Sequence, residues 1–226
     1  MRDDYRTLVF DCDGVVLDSN QVKTAAFHSA ALPWGHAAAE ALVAHHVAHG
    51  GVSRYEKFTY FLETILPGHS PGAVPGRDGP DLASLLAAYA KAVRAGLMSC
   101  AVAEGLDTLR ANTPDMRWLI VSGGDQIELR EIFAARGLEG YFDGGIFGSP
   151  DSKDVILERE IAAGTIHTPA LFLGDSRYDH IAATRAGLDF AFVSGWSEFH
   201  GWRDYVQLHS IREFRSVADL GRVIQC

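Results

Sequence analysis

Three apolar runs of strand length in this 226-residue chain each end in small or acidic residues, and that recurrence restricts the fold more than any other feature. Thr7-Leu8-Val9-Phe10 leads into Asp11-Cys12-Asp13-Gly14-Val15. Trp118-Leu119-Ile120-Val121 leads into Ser122-Gly123-Gly124-Asp125, and Ala170-Leu171-Phe172-Leu173 into Gly174-Asp175-Ser176-Arg177-Tyr178-Asp179. Gly144 to Phe147 and Asp189 to Val193 are further strand candidates, and helix-length stretches, among them Gln126 to Arg136 and His180 to Ala186, separate the strands in the second half. Strands alternating with helices predict an α/β fold with a doubly wound parallel sheet. Ligands of such open sheets bind outside the carboxyl ends of the strands, so Asp175 and Asp179 converge where Asp11 and Asp13 project.

Alternate residues of a strand share a face, so Asp11 and Asp13 point into one space if the extended conformation persists, and Gly14 lets the chain turn away. An aspartate nucleophile divides phosphate ester hydrolysis into two easier steps, and a second carboxylate beside it can move the leaving-group proton. The paired charges repel, which invites a hard divalent cation such as Mg²⁺. Taken alone, the pair is equally compatible with a solvated or turn-forming motif. Ser122 and Gly123 offer a hydroxyl and backbone N–H groups to a phosphate at a helix start. N-capping is the alternative for Ser122, and Asp125 is better placed for it. Lys153 heads a helical pattern that runs to Ala163, where the helix dipole disfavours a cation, so its position implies an anionic partner. Of the other lysines, Lys57 and Lys91 read as solvated helix residues.

In this order the segments resemble the four motifs of the haloacid dehalogenase superfamily, in its beta-phosphoglucomutase-like and phosphatase branch. The resemblance implies a Rossmann-like core and roles residue by residue. Asp11 is the nucleophile and a Mg²⁺ ligand. Asp13 is general acid and base with its backbone carbonyl on the metal, and Ser122 and Lys153 hold phosphate oxygens. Asp175 binds Mg²⁺, while Asp179 completes the acidic shell or orients Lys153. One departure stands out: many relatives carry a proline directly after the motif-three lysine, whereas here Asp154 follows Lys153 and Pro150 precedes it.

Residues 19–98 show helical patterns at Gln21 to Ala31, Ala37 to Ala48, Ser53 to Leu66 and Leu82 to Leu97, and no convincing strand. Such an insertion resembles the small helical C1 cap of the superfamily, which closes over the site and excludes water. The expected division is a core of residues 1–18 and 99–226 with a cap of 19–98, hinged at Leu17 to Asn20 and Gly96 to Ala101. Pro67 to Pro80 is too rich in turn formers for a helix and reads as a loop. His49-Gly50-Gly51-Val52-Ser53-Arg54 resembles the substrate-specificity loop of the branch. Substrate contact is therefore favoured for Arg54 over a surface ion pair. Lys23, near the hinge, either reaches the cleft or is solvated.

The expected activity is a Mg²⁺-dependent phosphatase acting through an aspartyl phosphate on a small phosphorylated metabolite, a sugar phosphate first. The alternative is a sugar phosphomutase, for which Arg54 would anchor a distal phosphate. A noncatalytic metabolite-binding protein should have lost one of Asp11, Asp13, Lys153 or Asp175, and none is lost. A net charge of −9 argues against nucleic acid as the main partner. The start lacks the apolar stretch of a signal peptide and no run is long enough to span a membrane, so a cytoplasmic location is expected. Cys12, Cys100 and Cys226 are expected as reduced thiols, with Cys12 packed in the core rather than reactive. His45 and His49, four apart without acidic partners, read as a polar face near the substrate loop rather than a metal site. Trp196, Phe199, Trp202 and Tyr205 are expected to pack near the last strand.

Overall fold

The computed structural model describes residues 4–222 and contains one sheet of six parallel strands in the order β3-β2-β1-β4-β5-β6. These are β1 (Thr7–Phe10), β2 (Arg117–Asp125), β3 (Gly145–Ser149), β4 (Ala170–Gly174), β5 (Asp189–Val193) and β6 (Arg212–Phe214). Central β1 pairs with β2 and β4, and all four of its residues are buried, as its uninterrupted apolar run requires of a strand covered on both faces. Its alternation sorts the core. Leu8 and Phe10 join the larger cluster, while Val9 packs with Ile156, Leu157, Phe172 and Ala182 on the other face.

Between β1 and β2 the chain forms α1 (Asn20–Ala31), α2 (His36–Ala48), α3 (Arg54–Tyr60), α4 (Leu66–His69), α5 (Leu82–Ser99) and α6 (Leu106–Asn112). The expected single helix from Ser53 to Leu66 is interrupted by a π-helical turn, Phe61–Ile65, between α3 and α4. Phe27 of α1, Phe58 of α3 and Tyr89 of α5 hold these helices together, with ring centroids 4.5–5.9 Å apart. The chain leaves and re-enters the sheet at one place: Leu17 bridges Val102, and the Asp18 N–H donates to the Ala101 carbonyl at 3.0 Å. α6 packs against the last helix, α11 (Val217–Gly221). The remaining helices are α7 (Gln126–Ala135), α8 (Lys153–Ala162), α9 (Arg177–Arg185) and α10 (Trp202–Leu208).

Three details differ from the sequence reading. β2 runs past Val121 to Asp125, because the register shifts between the Val121–Phe147 and Asp125–Ser149 pairings and leaves Ser122, Gly123 and Gly124 as an irregularity near the strand end. β6 was not anticipated: it has three residues, of which only Phe214 is buried, too few for an alternating pattern. α9 begins at Arg177 rather than His180, because Ser176 and Asp179 form a capping box ahead of it. Phe199 and Trp202 pack on Phe192 of β5, as expected of the aromatic tail. Cys226 lies outside the described residues. No helix among the described residues is long and apolar enough to cross a membrane.

Trp118 shows how tightly the central strands are locked. It is fully buried against Phe10 at a centroid distance of 4.8 Å, and its indole N–H donates to Thr113 Oγ1 at 3.1 Å. Trp118→Ala is expected to cost about 3–5 kcal/mol of unfolding free energy, measured by urea denaturation.

Candidate active site

β1 delivers Asp11 to the floor of a cavity, where Asp11 is 2% exposed. Gly14 turns the chain with φ +74°, and a Cβ there would overlap the Asp175 carboxylate, so only glycine lets the two strand ends approach this closely. Cys12, between the two aspartates, is fully buried in the core, and burial pushes its thiol well up. The alternation that sends Asp11 to the cavity sends Cys12 away from it.

Lys153, the first residue of α8, is 1% exposed and lies between two carboxylates: Nζ is 2.8 Å from Asp11 Oδ2 and pairs with Asp179 Oδ1. Burial by itself would lower its pKa, but Asp11 and Asp179 outweigh that and hold the ammonium charged. The second oxygen of Asp179 accepts from the Ser176 N–H at 3.0 Å and from the Ser176 hydroxyl at 2.6 Å. Every Asp179 oxygen therefore has a donor, and the capping box that starts α9 also aims this carboxylate at Lys153.

Asp175 completes the floor and accepts from Asn20 Nδ2 at 2.8 Å, while the same amide reaches the Trp196 carbonyl at 2.9 Å. Ligand atoms of Asp11, Asp175 and Asp179 lie within 4.8 Å of one another, all three buried. Burial raises the Asp11 pKa to about 7, with Asp179 and Asp13 adding to the rise and Lys153 opposing it. Burial likewise pushes Asp175 well up, helped by Asp11 and Asp179. One lysine cannot neutralise this many carboxylates. A hard divalent cation fits both the oxygen-only donor set and the surplus negative charge.

Asp13 sits across from this cluster. Its carboxylate accepts from Ser19 Oγ at 2.6 Å and pairs with Lys23, which is 7% exposed. Burial works to raise the Asp13 pKa, but Lys23 and Ser19 prevail and hold it below the usual range. On the β2 side, Gly123 and Gly124 line the cavity, while Ser122 is fully buried behind them and accepts from the Gly124 N–H at 3.0 Å. A Cβ on Gly123 would overlap the Gly51 carbonyl, so the loop before α3 rests directly on this turn. Asp125 caps α7 by accepting from the Glu128 N–H at 3.0 Å, the capping role expected for Asp125 rather than Ser122.

The helical insertion closes the cavity, which measures about 350 Å³, near the small end of the range for ligand pockets (roughly 300–1,000 Å³). Arg54 lines it, yet both terminal nitrogens donate to Glu128 of α7, and the guanidinium lies 4.6 Å from the Tyr89 ring centre. Tyr55 adds a second link, donating to Asp125 at 2.7 Å. Lys57 lines the cavity one helical turn on. It is 2% exposed, with Nζ 2.8 Å from His46 Nδ1. Burial lowers the Lys57 pKa to about 7, with Lys23 and Lys153 adding to the effect, and lowers that of His46 to about 2.

The haloacid dehalogenase-like hydrolase family matches residues 5–187, most of the chain. The chain belongs to that family. Among solved structures it resembles a predicted phosphoglycolate phosphatase from Haemophilus somnus 129PT (TM-score 0.74, 15% identity, covering 100% of both chains). It also resembles a predicted phosphatase from Clostridium acetobutylicum (TM-score 0.72, 19% identity, 97% of this chain and 98% of that one). A third is CbbY from Rhodobacter sphaeroides in complex with phosphate (TM-score 0.68, 20% identity, 96% and 97%). No curated protein matches the chain in sequence. At such identities the likeness establishes the fold: a parallel α/β sheet with a helical segment inserted early.

In this hydrolase the structure brings Asp11, Asp13, Lys23, Arg54, Gly123 and Asp175 to the cavity wall, with Ser122, Lys153 and Asp179 behind it. His49 also lines it, while His45 stacks between His49 and Tyr60 at 4.1 and 3.9 Å, the polar face expected of that pair. Lys57 corrects the sequence reading. It is not solvated, because α3 packs against α5 and α2 and turns this side chain inward, beside His46 and Phe27. Lys91 is exposed as expected. Asn20 and His46 were missed, and nothing in their local sequence marks them. For Lys57 a signal existed: it follows Arg54 by three residues, which puts both on one helix face.

The buried amine leaves a mark on stability. The folded pKa of Lys57 lies below its ordinary 10.5, so between pH 7 and 10.5 the unfolded chain holds a proton that the folded one lacks. The destabilisation is fully present below about pH 7 and fades as pH rises towards 10.5. Relative to wild type, Lys57→Met should therefore gain more unfolding free energy at pH 7 than at pH 10, as measured by paired urea denaturations. An unchanged difference would show that Lys57 is charged in the folded protein.

Proposed function

We propose that this hydrolase is a Mg²⁺-dependent phosphatase of a small phosphorylated metabolite, a sugar phosphate first, working through an aspartyl phosphate on Asp11. The observation that carries the reading is the convergence of Asp11, Lys153, Asp175 and Asp179 at the sheet's carboxyl edge, with Asp13 beside them on the wall of a small cavity. Phosphatases and a CbbY complex with xylulose-1,5-bisphosphate among the structural neighbours support it.

Asp11 attacks phosphorus and the ester oxygen leaves; water then attacks the aspartyl phosphate and releases phosphate. Lys153 offsets negative charge on the transferring group, and the Gly123 and Gly124 turn, with Ser122 behind it, offers donors to phosphate oxygens. Asp13 gives a proton to the leaving oxygen and takes one from water. Its pairing with Lys23 favours the ionised form, the state suited to the second of these tasks. Asp11, Asp175 and the Asp13 backbone carbonyl would hold Mg²⁺, with Asp179 at the edge of the shell. The ion supplies positive charge that keeps these carboxylates ionised and neutralises phosphate. Residues 19–98 act as a cap over a core of 1–18 and 99–226. Hydrolysis ranks ahead of phosphomutase chemistry because water is the default acceptor, and the Arg54 fork, the anchor expected for a distal phosphate, is taken up by Glu128.

The test is phosphate release from phosphorylated sugars, polyols, nucleotides and acids with Mg²⁺, run with wild type and Asp11→Asn. Release from one class, lowered at least 1,000-fold in Asp11→Asn, is the expected result; isomerised substrate without release would point to a mutase. Chelation of Mg²⁺ should stop turnover, with recovery on adding the ion back, and full activity in chelator would overturn the metal assignment.

A further inference from the structure

The cations around the cavity are not equivalent. Lys153 is held by Asp11 and Asp179, Lys23 by Asp13, and Arg54 by Glu128. Lys57 lines the same cavity, equally buried, and its partners are the His46 ring at 2.8 Å and the face of Phe27 at 5.5 Å. No carboxylate pairs with it among the described residues. Burying a cation without an anion is costly, and a protein that needed only packing at this place would fill it with an apolar side chain.

From this placement we infer that Lys57, seated on His46, is the subsite for a second anionic group of the substrate, remote from the phosphate that reacts. The substrate class is then a small phosphate monoester that also carries a carboxylate or a second phosphate. The inference rests on the phosphatase reading and narrows it. The reacting phosphate belongs at the sheet edge with Asp11 and Gly123, whereas Lys57 projects from α3 of the insertion, so the two groups of one ligand would bridge core and insertion. The small cavity limits the spacer between them. The charges that face Lys57 are Lys23 from α1, Asp13 from the loop after β1, Lys153 from α8 and Glu56 from its own helix. The neutral His46 ring lies against it from α2. Because free Lys57 is largely deprotonated above pH 7, an anion docking there draws a proton onto it.

Matched substrates test this on the Mg²⁺-loaded enzyme. Glycerol 3-phosphate and 3-phosphoglycerate differ at the far end by a hydroxymethyl group against a carboxylate; fructose 1-phosphate and fructose 1,6-bisphosphate differ by the second phosphate. The expected result is a wild-type preference of about tenfold or more in kcat/KM for the second-anion member of at least one pair. The responding pair tells carboxylate from phosphate. Lys57→Met, or Lys57→Gln should the first fail to fold, should lose about tenfold more on that member than on its partner. No preference in either pair, or equal losses within both, overturns the assignment. If phenyl phosphate still shows Asp11-dependent turnover then, the phosphatase reading survives alone. If no ester is turned over, calorimetry decides Lys57 independently: at about pH 8.5, in buffers of different ionisation enthalpy, 3-phosphoglycerate or fructose 1,6-bisphosphate should bind wild type with proton uptake that Lys57→Met lacks. Binding of both compounds without that difference overturns the proposal, as does the absence of binding by either.

Discussion

Lys153 between Asp11 and Asp179 is the interaction on which the site depends. It joins the end of β1, the start of α8 and the start of α9, three parts of the chain that meet because the sheet order sets β1 between β2, on which α8 packs, and β4, which leads into α9. A buried ammonium at the N-terminal end of a helix is unfavourable on two counts, desolvation and the helix dipole. Two carboxylates at hydrogen-bonding distance reverse that balance. The same contact makes the carboxylates tolerable to one another, and the charge it leaves over is what a divalent ion would neutralise.

Polar contacts hold the insertion over this floor. Arg54 and Tyr55 reach Glu128 and Asp125 in the first turn of α7 and at its cap, and Lys23 reaches Asp13. Gly51 rests on Gly123, at a separation that a side chain on Gly123 would abolish. The loop before α3 therefore covers the turn that would hold phosphate.

Much of this was legible in the residues. Apolar runs ending in Asp11, Ser122 and Asp175 announced a parallel sheet and the edge at which its ligands bind, because strand ends and turn residues are local signals. The helices of the insertion were legible too, from apolar periodicity. β6 was not, since three residues with one buried side chain carry no pattern, and the extension of β2 was hidden because a register shift belongs to a pair of strands rather than to one. Arg54 reads from the sequence as a substrate contact rather than half of an ion pair, and its engagement with Glu128, 74 positions away, is not visible there. Lys57 was misjudged, because the solvation of a helical lysine depends on what packs over it.

The sequence by itself determined the order of the first five strands and of the main helices of the insertion, the two glycine-assisted turns and the identity of the chemical groups at the strand ends, since period, cap and turn preferences act over a few residues. Only the tertiary structure decided which charges neutralise one another and which is left over. Asp13 was assigned to Lys23, Arg54 to Glu128 and Asp179 to Lys153, and Lys57 kept a neutral histidine as its neighbour. Those outcomes depend on burial and on distances across the fold, and electrostatic energies change severalfold with both.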